Sequence, residues 1–270
     1  MRLGLSSYTY GWAVGVPGHR PEQPLCELGL LDRCVEHGLK LLQVGDNLPL
    51  HTLDSARLAR FLDRARAEGV ELELGARRLT VEQVAIYAFL ARQAGARMLR
   101  FVVDDTGYEP TASEVVDVLR TSIPLLDGLV LGLENHDRFP AGVLRGILEA
   151  VGSDRLGICL DTANSLGAGE GLETVVRELG PYTVNLHIKD VQIRRVPYLM
   201  GFLVEGRPAG SGALDIPALV STLRRFHRCQ TAVLEQWTPP EPTAAATIAR
   251  EAAWARQSVE FLKPLFAPIP

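Results

Sequence analysis

VNLHIKD, residues 184 to 190, decides how the rest of the chain is read. It is a short apolar run whose polar residues gather at the carboxyl end, the signature of a buried strand. Strand alternation puts His187 and Lys189 on one face and Ile188 on the other. Three more apolar runs in the second half end the same way. LVLGLENHD reaches Glu134, LGICLDTANS reaches Asp161 and TAVLEQW reaches Glu235. Four successive strands thus each deliver one metal-competent side chain, in the order Glu, Asp, His, Glu.

Outward from that stretch, strands and helices alternate along the whole chain. Strands are expected at 2–7, 39–46, 70–76, 96–105, 129–134, 155–161, 182–188 and 231–235. Helices are expected at 25–37, 52–68, 80–94, 111–126, 140–151, 171–179, 215–227 and 242–265. Thr52 and Thr80 are placed to cap two of them, and Thr111 with Glu114 forms a capping box. Strict alternation implies a parallel sheet. Eight units in 270 residues close most naturally into a single (β/α)8 TIM barrel spanning 1–270. The rival, an open doubly wound sheet, would carry a glycine-rich phosphate loop after its first strand, and SSYTYGW is not one. The longest insertion, 191–212, follows the seventh strand. It is expected to be a long loop over the carboxyl ends, where such barrels keep their active sites. The segment at about 242–265 is expected to cover the barrel.

Composition excludes several classes. A net charge of −4 and the lack of any Lys/Arg block argue against nucleic acid. Four scattered cysteines form no CxxC pair, so thiolate zinc and redox motifs are absent, and Cys159 reads as a buried free thiol. No run is long enough to span a bilayer, and the first residues lack a signal-peptide core, so a cytoplasmic protein is expected.

In a barrel, the ends of strands five to eight lie side by side, so Glu134, Asp161, His187 and Glu235 converge. Three carboxylates held that closely repel one another, and one divalent cation removes the penalty. Three oxygens and one imidazole make a hard, mixed site suited to Mn, Mg or Co ahead of Zn. Lys189 shares a face with His187 and either binds a substrate carboxylate, acts as an acid or makes a strand-end salt bridge to Asp190 or Glu235. Arg100, charged within an apolar run, is an anion anchor if it points inward. His136 follows Glu134 by two and should point the same way. Tyr8 and Trp237 could stack on a sugar ring, with core packing as the alternative. Arg195 and Arg207 in the long loop are candidate contacts to an anionic sugar. The apolar residues there (Tyr198, Leu199, Met200, Phe202) suggest instead a contact with a second subunit.

LENH, LDTANS, LHIKD and LEQW resemble, residue by residue, the Glu, Asp, His and Glu metal ligands of the xylose isomerase-like TIM-barrel superfamily, the sugar phosphate isomerase/epimerase group. GRPAGSGALDIPAL resembles the family's glycine-rich lead into its seventh helix. The resemblance implies a divalent-metal-dependent isomerase or epimerase of a keto-sugar, with Glu134 and Glu235 passing the proton and the cation stabilising an enediolate. One departure stands out: the epimerases carry a histidine three residues after the metal-binding aspartate, where this chain has Asn164. That leaves room for a decarboxylase or lyase of an oxo-sugar acid, and the segment from HIKD to GRPAGSG loosely resembles the 3-oxo-isoapionate decarboxylases. An inosose-type dehydratase and a non-enzymatic sugar-binding barrel are the remaining alternatives.

Overall fold

The computed structural model describes residues 1–267. Eight parallel strands close into a barrel: β1 (Arg2–Ser6), β2 (Leu41–Val44), β3 (Glu71–Ala76), β4 (Met98–Phe101), β5 (Val130–Glu134), β6 (Leu156–Asp161), β7 (Thr183–Ile188) and β10 (Thr231–Leu234). Two further strands, β8 (Asp190–Arg195) and β9 (Phe202–Arg207), form a separate antiparallel pair. The helices are α1 (Gly11–Val14), α2 (Glu27–Glu36), α3 (Ser55–Ala67), α4 (Val81–Ala94), α5 (Ala112–Ser122), α6 (Ala141–Val151), α7 (Leu172–Leu179), α8 (Ile216–Arg225) and α9 (Ala244–Phe266). Thr80 caps α4, and Thr111 with Glu114 closes a capping box on α5. Thr52 does not cap α3. Asp54 does, accepting from the Arg57 amide, while the Thr52 hydroxyl bonds back to the Pro49 carbonyl.

The strands divide their side chains sharply. Leu42, Val44, Leu72, Leu74, Leu99, Leu131, Leu133, Ile158, Leu160, Leu186, Ile188 and Leu234 belong to the continuous apolar core shared with the helices. The alternate residues in the same strands face the lumen, and they are largely polar or small: Gln43, Glu73, Gly75, Arg100, Gly132, Glu134, Asp161, Asn185, His187, Thr231. Barrel interiors are usually filled with branched apolar side chains. Here the lumen is a polar shaft inside an apolar sleeve.

A β-bulge sets the register where it matters most. Ile158 pairs with Thr183, but Cys159 pairs with Asn185, so Val184 is the surplus residue and Asp161 stands level with His187. Gly157 makes room for it, since a Cβ there would lie 2.4 Å from Val184 Cγ1.

The segment expected as a loop at 191–212 is instead mostly the β8–β9 hairpin. Its outer half exposes Ile193, Tyr198, Leu199, Met200 and Phe202. Asp190 anchors its base: the buried carboxylate accepts from the backbone amides of Val191 (2.9 Å), Gly210 (2.9 Å), Gly212 (2.9 Å) and Leu214 (3.3 Å). This explains why HIKD is followed by a glycine-rich stretch, because a Cβ on Gly212 would lie 2.1 Å from Asp190 Oδ1. Asp190→Ala leaves these donors without their acceptor, and a loss of about 2–4 kcal/mol is expected in chemical denaturation.

Helix α9 is tied back to the start of the chain by Glu251, whose carboxyl accepts from the Trp12 (2.8 Å) and Ala13 (3.0 Å) amides. Burial pushes this carboxyl up to about 7, against the opposing pull of those two amides. The native state therefore keeps a proton that the unfolded chain releases near the ordinary value of 4.5. Stability should fall as pH rises from about 4.5 to about 7, on the order of 3 kcal/mol in all. Denaturant midpoints across that range should lose this slope in Glu251→Gln.

Candidate metal centre and substrate cavity

The ends of β5, β6, β7 and β10 bring Glu134, Asp161, His187 and Glu235 together, all buried. His187 Nδ1 lies 3.1 Å from Glu235 Oε1, 3.5 Å from Glu134 Oε2 and 3.9 Å from Asp161 Oδ2. It is buried without a hydrogen-bond partner. An imidazole nitrogen aimed at three carboxylate oxygens and bonded to none of them fits a divalent cation in their midst. Burial pushes His187 toward its neutral form, but Glu235 and Glu134 outweigh this and hold its pKa above the ordinary value. Burial likewise opposes ionisation of Glu235, yet His187 and Lys189 outweigh it and keep this carboxylate well below its usual range. Cys159 also lies among these groups, but burial pushes its thiol well up and its Sγ donates to Asn185 Oδ1 at 3.1 Å. It stays a thiol, as a buried free cysteine should.

Cations and amides hold the carboxylates in place. Lys189 Nζ lies 2.7 Å from Asp161 Oδ2 and 3.1 Å from Glu235 Oε2. Burial works against its ammonium, but Asp161, Glu235 and Glu134 together hold its pKa above the ordinary value. Asp190, the other partner considered for Lys189, is occupied at the hairpin base. Asn164 bridges the two sides: its Nδ2 donates to Glu134 Oε1 (2.8 Å) and its Oδ1 accepts from Lys189 (3.1 Å). The Ser6 hydroxyl donates to Glu235 Oε1 at 2.8 Å.

Arg100 points inward. Its Nε pairs with Glu134 Oε2, and its NH1 lies 2.6 Å from Asp46 Oδ1. Tyr8 donates to the other Asp46 oxygen at 2.7 Å, and burial, then Asp46, pushes this phenol up, so it remains a donor. Asp46 follows β2 by two residues, a carboxylate just past a strand end that the four-residue pattern did not include.

Above these groups is a cavity of about 340 Å³, lined by Tyr8, Arg77, Arg100, Glu134, His136, Asn164, Lys189, Glu235 and Trp237 among others. Trp237 stacks near Lys189, with Nζ 5.3 Å from the ring centre. His136 sits at the rim with Nδ1 2.5 Å from Asp137 Oδ1. Arg195 and Arg207, expected at the substrate, do not line it. The hairpin carries them elsewhere: Arg195 stacks on Phe202 and donates to the Leu199 carbonyl, and Arg207 Nε donates to Gln192. Arg77, not singled out from the sequence, is in the wall. Among the described residues no helix is long and apolar enough to cross a membrane.

The fold is that of the xylose isomerase-like TIM barrels, a description that matches residues 31–265, and the chain belongs to that family. It is 32% identical over 264 residues to the 3-oxo-isoapionate decarboxylase of Pectobacterium atrosepticum, covering 97% of this chain and 95% of that protein. Among solved structures, a D-psicose 3-epimerase studied in the presence of D-fructose superposes with a TM-score of 0.74 at 14% identity, covering 99% of this chain and 100% of the other. A xylose isomerase-like barrel from Mycobacterium smegmatis in complex with magnesium gives 0.70 at 14% identity, with 98% of each chain covered.

Arg100 is the keystone of the acidic wall. Arg100→Met leaves Asp46 and Glu134 without their shared cation. Urea unfolding of the metal-free variant should show a loss of about 3–5 kcal/mol.

Proposed function

We propose that this chain is a divalent-metal-dependent decarboxylase of an oxo-sugar acid, the reaction class named for its Pectobacterium relative. The observation that carries this reading is the state of Glu134. Asn164 donates to its Oε1, and the Arg100 guanidinium lies against its Oε2 in an ion pair that is not a hydrogen bond. Epimerisation needs a free carboxylate on each side of the substrate carbon, one to remove the proton and one to return it. A glutamate tied by an amide and a guanidinium is poorly placed for that task. Decarboxylation requires no C–H abstraction. The C–C bond to the carboxylate breaks, CO2 leaves, its electron pair passes to the neighbouring oxo group as an enolate, and one proton then returns to carbon.

Glu134, Asp161, His187 and Glu235 would hold the cation, which when bound polarises the substrate's oxo group as a Lewis acid. Lys189 supplies a fixed ammonium at the cavity floor, beside the oxygen where negative charge develops. Its tether to Asn164 fixes it in one place, so no reorganisation is needed as that charge forms. Glu235, kept ionised, has no proton to give; together with the Ser6 hydroxyl bound to it, it anchors the Lys189 ammonium, which is the group that would return the proton to carbon. Tyr8 and Trp237 wall the cavity against the sugar chain. Arg77 and His136, at the wall and rim, complete the substrate contacts. The second reading, isomerisation or epimerisation of a neutral ketose, is favoured by Glu134 and Glu235 both reaching His187.

Purified protein should bind one divalent ion and, with Mn2+ or Mg2+, release CO2 from oxo-sugar acids such as 3-oxo-isoapionate. Lys189→Met should lower kcat by about 100-fold or more, and chelation should abolish turnover. Solvent deuterium entering a neutral ketose, with no CO2 from any acid, would select the epimerase instead.

A further inference from the structure

Beneath the site lies a buried polar chain that none of the chemistry above uses. His187 Nε2 meets Gln43 Oε1 at 2.7 Å. The Gln43 amide nitrogen donates to Glu73 Oε2 (3.0 Å) and to Asn185 Oδ1 (3.3 Å). Asn185 Nδ2 donates to the same Glu73 oxygen (3.1 Å) and to Thr231 Oγ1 (2.8 Å), and the Thr231 hydroxyl reaches Glu73 Oε1 at 2.7 Å. Glu73, Gln43, Asn185 and Thr231 are all buried in the lumen.

The chain has one consistent orientation. Two amide groups turn their NH2 ends to Glu73 Oε2, an oxygen that only accepts. A proton on the carboxyl, which burial favours by pushing Glu73 up, would sit on Oε1 toward Thr231 and leave Oε2 unchanged as an acceptor. Gln43 must therefore show its carbonyl oxygen to His187. An acceptor at Nε2 requires Nε2 to carry the proton, and Nδ1 is then the nitrogen free to bind a cation. Were Gln43 turned over, its NH2 would face Nε2, the proton would move to Nδ1, and Nδ1 would point a hydrogen at the space between the carboxylates.

We propose that Glu73, acting through Gln43, is the positioning residue that fixes which nitrogen of His187 faces the metal site. It touches neither substrate nor cation. Its effect is to turn one amide, which selects one imidazole tautomer. The inference rests on the metal reading given above.

Glu73→Gln is the conservative control: its oxygen can accept from the two NH2 groups while its amide donates to Thr231, as the protonated acid does, so both readouts below should stay near wild type. Glu73→Met removes the shared acceptor, and the preference of Gln43 is lost. Manganese titration followed by electron paramagnetic resonance should show binding about 10–100-fold weaker than wild type. In the metal-free protein, the downfield His187 Hε2 resonance, expected in wild type as a slowly exchanging proton, should broaden or vanish. Gln43→Met removes the acceptor directly and should weaken Mn2+ binding to the same degree. Wild-type manganese affinity and an unchanged Hε2 signal in Glu73→Met or Gln43→Met, even with a lowered melting temperature, would overturn the proposal and leave Glu73 a structural residue. If wild type itself binds no manganese, the metal reading fails, and the Hε2 comparison still decides whether Glu73 sets the tautomer.

Discussion

The whole architecture answers one electrostatic problem, the burial of four carboxyl groups within reach of one another. Asp46, Glu134, Asp161 and Glu235 are gathered at one end of the barrel with two permanent cations, Arg100 and Lys189. Ionised, the four outnumber the two by a charge of minus two, and a single divalent ion cancels that remainder. Arg100 and Lys189 divide the labour. The guanidinium, with its rigid fork, spans Asp46 and Glu134 on one side, and the compact ammonium serves Asp161 and Glu235 on the other. Asn164 joins the halves. Such a cluster is tolerable only where every partner is held in place, and the surrounding polar lumen does that holding.

The sleeve around the lumen supplies the folding energy. Apolar residues on the helix-facing side of every barrel strand join one continuous core with the helices. Each fully buried leucine in such a core contributes about 1.5–3 kcal/mol. The lumen contributes less of this kind, since its residues are mostly polar or glycine, with Leu41, Met98, Cys159 and Val233 the buried apolar ones among them. The price of a polar shaft is therefore met outside it.

Much of this was legible in the chain itself. The eight strands, the barrel and the Glu, Asp, His, Glu row at strand ends follow from apolar runs of fixed length ending in ionisable residues. The inward placement of Arg100 was foreshadowed by a lone charge in an apolar run, although the anions it meets there are Asp46 and Glu134 of the chain itself. Other features were hidden for physical reasons. ELEL in β3 alternates as a half-exposed strand would, so nothing in the pattern places its glutamates inside. Barrel closure turns that face inward, so Glu73 is buried while Glu71, two residues nearer the strand's start, pairs with Arg2 at the partly exposed barrel end. The β8–β9 hairpin was read as a loop because Pro197 and Gly201 punctuate it and its apolar residues have no core to meet. That geometry also carries Arg195 and Arg207 away from the cavity. Gln43 has no signature in a single sequence, because its meaning lies in contacts 30, 142 and 144 residues away.

The surplus residue in β7 gives that strand something its neighbours lack, which is a spare link. Val184 pairs with nothing in β6, and everything after it is in step with the metal-binding row. A chain that lost this one residue would keep Asp161 beside His187. A chain that lost a residue between Asn185 and His187 would bring Ile188 beside Asp161 and turn the imidazole toward the helices. Length variation in β7 is thus harmless on one side of a single peptide unit and fatal to the site on the other. The strand carries its own reading frame, and the bulge marks where that frame begins.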